Sequence, residues 1–155
     1  MSLSQDRFTG VNAAVLTPVT DDLIPDDALM LEYSNWLMAN GCDGLAILGT
    51  TGEANCFSLK ERIRIIERLI EGGIPSKSLM PGTGSCALTD AVELTRMAVK
   101  AGCGGVLMLP PFYYKNPSDA GLFRFFSEVI QRVGDSNLQI YLYHFPQMSA
   151  TPITY

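Results

Sequence analysis

The chain has 155 residues, a formal net charge of -5, 47% hydrophobic residues and 17% charged residues. With a sequence pI near 4.7 it carries no basic stripe, so nucleic acid and anionic membrane surfaces are excluded as expected partners. No apolar run approaches the ~18 residues of a membrane helix and no signal peptide precedes the first run, so we expect a cytoplasmic protein.

Five apolar runs recur along the chain and predict five strands of a parallel sheet. Most of them lack the alternation of polar and apolar residues that marks a half-exposed strand, so they suit strands covered on both faces. The runs are Ala13–Leu16, Leu45–Leu48, Ser78–Met80, Gly105–Leu109 and Gln139–Tyr143.

Helical patterns separate the five runs and are long enough for right-handed crossovers. The first helix ends before Gly41, which suits a left-handed cap, and the second begins at Ser58, three residues before Glu61, the spacing of a capping box. The predicted inward faces are Leu29, Tyr33, Trp36 and Leu37 in the first helix and Leu59, Ile63, Ile66 and Ile70 in the second.

Two further helices complete the repeat. The third is predicted from about Asp90 to Ala101, with Gly102 behind it, and the fourth from Ser118 to Val133. The inward residues of the fourth are Leu122, Phe125, Phe126, Val129 and Ile130. The chain therefore reads as four βα units followed by one more strand.

Repeated βα units leave two architectures, an open doubly wound sheet or a closed barrel. The open sheet usually has a glycine-rich phosphate turn after its first strand, where this chain has Thr17–Pro18–Val19, so the α/β barrel is favoured. Because a TIM (β/α)8 barrel needs about 250 residues, residues 1–155 are interpreted as the N-terminal part of one such domain, roughly its first four to five βα units, without a second domain. Open sheet edges and the apolar composition predict a homo-oligomer, a dimer or tetramer.

In such a barrel the chemistry lies at the C-terminal ends of the strands. The turn Gly49–Glu53 follows the second strand and Gly82–Ser85 follows the third. Glycines let a ligand approach the backbone and leave amides free for a small carboxylate, while threonine hydroxyls can pass protons. The same residues also suit ordinary strand-to-helix turns, so the pattern alone leaves both interpretations open.

Four motifs in this order resemble those of the dihydrodipicolinate synthase / N-acetylneuraminate lyase family of pyruvate-dependent class I aldolases. They are Gly49-Thr-Thr-Gly-Glu53, Gly82-Thr-Gly-Ser85, Pro110-Pro-Phe-Tyr-Tyr114 and Tyr143-x-x-Pro146. The resemblance runs from Gly10 to Thr154. It implies a Schiff-base mechanism, in which a lysine condenses with the ketone of pyruvate and the enamine adds to an aldehyde, or the reverse reaction cleaves a 2-keto acid.

The resemblance also assigns site residues. It implies that Tyr143 is the acid/base tyrosine, that Thr50 belongs to the proton relay, and that the backbone at Gly49 and Thr51 holds the pyruvate carboxylate. A phenol with a pKa near 10 acts in this way only where hydroxyls and a cation favour the phenolate, so a cluster of tyrosine and threonine is chemically reasonable.

A second relay tyrosine is implied to cross from an adjoining subunit. Counting from the strand it is Tyr113, and counting back from Pro117 it is Tyr114; Tyr113 is preferred. Cys42 and Cys103 precede two strands at matching places and are predicted to be inert buried thiols. His144, the sole histidine, is predicted to be a hydrogen-bonded interior or rim residue, and neither metal nor other cofactor is expected.

Two departures from the family pattern matter. The family's Schiff-base lysine lies at the end of a sixth strand, beyond these 155 residues, and none of Lys60, Lys77, Lys100 and Lys115 can take its place. Two hypotheses follow: the N-terminal half of a lyase, or a catalytically incompetent half-barrel that acts only in binding or assembly. Met148 stands where dihydrodipicolinate synthases commonly have an arginine for the aldehyde's carboxylate, which favours a sugar-acid substrate.

Overall fold

Parallel strands alternate with helices in a computed structural model that describes residues 8–154. Residues 1–7 and 155 of the predicted domain lie outside the described residues. The strands are β1 (Asn12–Ala14), β2 (Gly44–Ala46), β3 (Val106–Met108) and β4 (Ile140–Leu142). The helices are α1 (Asp27–Ala39), α2 (Leu59–Glu71), α3 (Leu88–Lys100), α4 (Asp119–Val133) and the short α5 (Pro146–Ser149), with 3-10 turns at Ala54–Cys56 and Ser76–Ser78.

The predicted third strand, Ser78–Met80, is wrong in its bounds. Ser78 ends a 3-10 turn, and the extended chain that follows, Leu79–Thr83, makes only isolated bridges rather than a ladder. Successive N–H groups of an extended chain point to opposite sides, and the N–H groups at 80 and 82 donate towards β2, so residue 81 would donate towards β3. Pro81 has no N–H to donate, which interrupts that ladder.

We call Leu79–Thr83 the linking segment, because it lies between two parallel ladders. β1 pairs with β2 and β3 pairs with β4. On one side Gly82 donates to the Ile47 carbonyl at 2.8 Å, and on the other Thr83 donates to the Leu107 carbonyl at 2.9 Å. The five predicted extended segments therefore lie side by side in chain order.

The boundaries of the helices follow their caps. The predicted capping box is confirmed: the Ser58 hydroxyl accepts from the Glu61 N–H at 3.3 Å, and the Glu61 carboxylate accepts from the Ser58 N–H at 2.8 Å. Gly41 and Gly102 have positive φ angles of 96° and 77°, as C-terminal caps require. Among the described residues no helix is long and apolar enough to cross a membrane.

The predicted inward faces are partly wrong. Leu29 and Trp36 of α1 are exposed, and this helix buries Met30 and Ser34 instead. In α4, Ile130 is exposed. The apolar stripe on each helix is wider than the surface that the sheet and the neighbouring helices cover, so periodicity alone cannot say which edge of the stripe is buried.

The buried apolar side chains form two clusters. The first joins β1, β2, α1 and α2 and includes Val15, Met30, Leu45, Ile66 and Leu79. The second joins α3, β3 and α4 and includes Ala91, Val106, Met108, Phe126 and Val129. Cys103 packs against both clusters, and burial raises the pKa of its thiol to about 11, as expected of an inert cysteine.

Candidate active site

Two adjoining cavities open at the C-terminal ends of the strands. The smaller, of about 20 Å³, is lined by residues that include Gly49, Thr50, Arg62, Gly82 and Tyr143. The larger, of about 180 Å³, shares Thr50 and adds Phe112 and Met148. Parallel strands end at one edge of a sheet, so residues far apart in the chain meet there.

A third, apolar groove of about 430 Å³ lies between α4 and β4, away from this edge. Phe123, Ile130 and Leu142 line it and are exposed, which makes it an open flank of the sheet. Its lining is apolar apart from a few groups such as Asp119 and Ser127. The chemistry-bearing residues therefore belong to the two cavities at the strand ends and not to this larger groove.

The turn after β2 is strained and tightly held. Leu48 and Glu53 adopt positive φ angles of 54° and 50°, which cost a non-glycine residue about 1–3 kcal/mol each and cluster at functional sites. Gly52 fits because a Cβ there would lie 2.8 Å from the Val15 carbonyl oxygen. Its own carbonyl accepts from the Thr17 hydroxyl at 2.8 Å, which fixes the turn against the end of β1.

Three of the predicted site residues meet in the smaller cavity: Gly49, Thr50 and Tyr143. Tyr143 follows β4 and donates its N–H to the Met108 carbonyl at 2.9 Å, while its ring meets Phe145 edge to face at 5.8 Å. These contacts fix the phenol at the rim.

Other predicted residues lie further out. Met148 is on α5 and lines the larger cavity, whereas the exposed Thr51 lies beside Thr50 in the same turn. Tyr113 and Tyr114 are 70% and 83% exposed, and their rings meet edge to face at 5.1 Å. Within this chain neither tyrosine lines a cavity with Thr50 or Tyr143. His144 is an exposed rim residue whose Nδ1 accepts from the Ile153 N–H at 3.2 Å.

Arg62 is a site residue that the sequence reasoning missed. It lies on α2, is only 5% exposed and lines the smaller cavity. Desolvation lowers the pKa of the guanidinium to about 10, with Asp90 opposing the shift, so the group is still a cation at neutral pH. Its position four residues before the buried Ile66 is the signal that was available, because both residues fall on one helical face.

Comparisons with known proteins agree with this geometry. The model of the "Dihydrodipicolinate synthetase family" matches residues 7–155. An "Uncharacterized DapA-like lyase" of Chloroflexus aurantiacus is 38% identical over 94% of this chain and 48% of that protein. A "4-hydroxy-tetrahydrodipicolinate synthase" of Agrobacterium fabrum is 34% identical over 95% of this chain and 49% of that protein. The chain thus spans about half the length of the curated relatives it matches.

Solved structures show the same relation. A dihydrodipicolinate synthase from Agrobacterium tumefaciens has a TM-score of 0.90 at 32% identity, over 96% of this chain and 51% of that one. A prophage protein of the dihydrodipicolinic acid synthase family from E. coli K12, in complex with pyruvate, has a TM-score of 0.84 at 31% identity, over 95% and 48%. The predicted barrel class is confirmed, with this chain matching the N-terminal half of such proteins.

Proposed function

Because the chain belongs to the dihydrodipicolinate synthetase family, we propose that the whole protein is a Schiff-base-forming lyase, which condenses pyruvate with an aldehyde or cleaves a 2-keto acid to pyruvate. The observation that carries the proposal is the meeting of Thr50 and Tyr143, from separate strands, in one cavity at the strand ends. The prophage relative in complex with pyruvate supports the choice of 2-keto acid. We also propose a cytoplasmic homo-oligomer, a dimer or tetramer, built from a single barrel domain.

In this proposal the hydroxyls move protons. The amine of a lysine beyond these 155 residues attacks the pyruvate ketone, and Tyr143 donates the proton with which the hydroxyl group leaves as water. The Tyr143 phenolate left by this step then takes a proton from the methyl group, which gives the enamine. As the enamine carbon bonds to the aldehyde carbon, the proton passes to the aldehyde oxygen. Thr50 passes protons between Tyr143 and a second tyrosine, Tyr113 of a neighbouring subunit, while amides at Gly49 and Thr51 hold the carboxylate.

The alternative is a catalytically incompetent half-barrel that acts in binding or assembly. The observation that favours it is that no lysine is among the described residues that line the two cavities. The lyase function requires a lysine that reaches the cavity, and the alternative function does not. Lys60 and Lys100 lie on helices, and Lys115 is exposed beside Phe112.

Borohydride trapping tests the proposal. The 155-residue chain, incubated with pyruvate and borohydride, should gain no adduct at its four lysines, whereas the whole protein should gain one reduced pyruvate imine per subunit. Intact-mass spectrometry and peptide mapping measure both results. A stoichiometric adduct on Lys60, Lys77, Lys100 or Lys115 contradicts the assignment of the lysine, and no adduct on the whole protein contradicts the function.

The substrate preference is a finer proposal. Met148 is 60% exposed in the larger cavity beside Thr50 and offers no charge to a second carboxylate, which supports a sugar-acid substrate over the aspartate semialdehyde of a true dihydrodipicolinate synthase. Several relatives carry the synthase name, so the distinction needs an experiment.

Met148→Arg in the whole protein should raise kcat/KM for aspartate semialdehyde about 10–100-fold, because a hydrogen bond to a charged group contributes about 1.5–3 kcal/mol. Steady-state kinetics with pyruvate and either aspartate semialdehyde or a neutral hydroxyaldehyde measures the effect. Met148→Leu is the matched control and should leave the ratio between the two aldehydes within about twofold. Efficient condensation with aspartate semialdehyde by the unchanged protein would show that another cation binds it.

A further inference from the structure

The proposed acid/base pair is divided between the two ladders of the sheet. Thr50 follows β2, in the first ladder, and Tyr143 follows β4, in the second. Among residues 8–154, only the linking segment lies between the two ladders, with hydrogen bonds to Ile47 on one side and to Leu107 on the other. The separation of the two hydroxyls therefore depends on where this segment is held.

The end of the linking segment is in backbone contact with both sides. A Cβ at position 82 would lie 1.9 Å from the Leu48 carbonyl oxygen, and one at position 84 would lie 2.7 Å from the Leu109 nitrogen. Leu48 precedes the Gly49–Thr50 turn directly. A displacement of Gly82–Gly84 is thus passed to the turn that carries Thr50 without any flexible side chain to absorb it.

Two helices hold Gly82–Gly84 in place. From α2, one guanidinium nitrogen of Arg62 donates to the Gly82 carbonyl at 2.8 Å and to the Gly84 carbonyl at 3.2 Å. From α3, the buried Thr95 hydroxyl donates to the Thr83 hydroxyl at 3.0 Å. Arg62 is the only one of these two side chains that bonds to the backbone of the turn, and it does so on both sides of Thr83.

We propose that Arg62 is a positioning residue, which sets the alignment of Thr50 with Tyr143 by holding the Gly82 and Gly84 carbonyls. The inference rests on the proposed lyase function. None of the ion pairs among the described residues involves Arg62, and its two hydrogen bonds go to these carbonyls, while the charge of Asp90 adds an electrostatic attraction. A charged donor makes such hydrogen bonds roughly twice as strong as neutral ones.

The proposal predicts an effect on proton transfer rather than on pyruvate binding. In the proposed mechanism, the turn at Gly49 and Thr51 holds the pyruvate carboxylate. The alignment of Thr50 with Tyr143 matters only when a proton moves between them. A displacement of about 1 Å in a reacting group can cost about 100-fold in rate. Removing Arg62 should therefore lower kcat while the KM for pyruvate changes little.

The test compares Arg62→Met with Arg68→Met. Arg68 lies on the same helix, is exposed and pairs with Glu71, so it controls for losing an arginine from α2. In the whole protein we expect kcat per adduct-forming subunit to fall about 10–100-fold in Arg62→Met, with the pyruvate KM within about threefold, and no such change in Arg68→Met. Counting only subunits that borohydride traps removes misfolded protein from the comparison.

Hydrogen exchange of the 155-residue chain gives a second readout that needs no activity. The amides of Gly82 and Thr83 should exchange at least about tenfold faster in Arg62→Met, while the Val15 amide, bonded to Ala46 in the first ladder, should not. If Arg62→Met does not fold, Arg62→Lys replaces it in both experiments. The lysine nitrogen ends about one bond short of the two carbonyls, so kcat and the amide exchange rates should change in the same direction as in Arg62→Met.

The outcomes separate the two ideas. If the whole protein traps no pyruvate, the proposed function fails, and the exchange data still test whether Arg62 holds the turn. A kcat within about twofold of the unchanged protein, unchanged exchange at Gly82 and Thr83, or equal effects in Arg62→Met and Arg68→Met would overturn the positioning role. A higher KM for pyruvate with an unchanged kcat would overturn it as well.

Discussion

Gly82→Ala should lower the free energy of unfolding of the 155-residue chain by about 3 kcal/mol or more, although it only adds a methyl group and removes no contact. The added Cβ would lie 1.9 Å from the Leu48 carbonyl oxygen, far inside van der Waals contact. The obstructing atom belongs to the backbone two residues after β2, so no change of rotamer can relieve the contact. Either the linking segment or the turn before Thr50 must move.

Urea unfolding, followed by circular dichroism, measures this loss as a shift of the midpoint at constant slope. Gly49→Ala is the matched control, because it adds the same methyl group at the same rim and its nearest neighbour is a Leu107 methyl carbon at 3.8 Å. We expect Gly49→Ala to stay within about 0.5 kcal/mol of the unchanged chain. Equal midpoints for the two alanine variants would show that the linking segment tolerates displacement.

Tyr143→Phe in the whole protein should lower kcat about 100–10,000-fold, the range by which a positioned general acid or base accelerates a reaction. The substitution removes one oxygen and keeps the ring that packs against Phe145, so folding and the cavity should be preserved. Because the amides of the β2 turn, and not the phenol, hold the carboxylate in our proposal, pyruvate affinity should change far less than turnover.

Steady-state kinetics, together with borohydride trapping at long incubation, tests this expectation. Tyr141→Phe is the control: Tyr141 lies two residues earlier, within β4, and its hydroxyl accepts from the Phe8 N–H at 2.8 Å, away from the two cavities. A loss of turnover in Tyr141→Phe as large as in Tyr143→Phe, or a kcat of Tyr143→Phe close to that of the unchanged protein, would remove Tyr143 from the proton relay.

Local signals in the sequence predicted the fold well where a few neighbouring residues decide the structure. The start of α2 depends on Ser58 and Glu61, which bond to each other, so spacing alone located it. The predicted bounds of the third strand were wrong because Pro81 lacks the N–H group that would donate towards β3. The position of β3 beside residue 81 is visible only in the folded chain. The exposed Trp36 was placed inward because its burial depends on which elements flank α1, and periodicity contains no information about them.

The residues of the candidate site were likewise predictable only in part. The sequence could predict that Thr50 and Tyr143 lie close together, since each lies beyond the C-terminal end of a strand and parallel strands end at one edge of the sheet. Arg62 was missed because a charged residue on a helix is usually solvated, and the two carbonyls that accept its hydrogen bonds come 20 and 22 residues later in the chain. The resemblance implies that the second relay tyrosine crosses to an adjoining subunit, which is in keeping with the exposure of Tyr113 and Tyr114.

The two apolar clusters have a consequence for the order of folding. The buried residues of the first cluster run from Val15 to Leu79 and those of the second from Ala91 to Val133, so each is assembled from one continuous stretch of chain. A ribosome would complete the first stretch before the second emerges, and contacts local in sequence form fastest. The candidate cleft at the strand ends, which Thr50 and Tyr143 both line, belongs to neither stretch alone. It comes into existence only when the two halves dock, which makes it the last part of this chain to form and the first to be lost on partial unfolding.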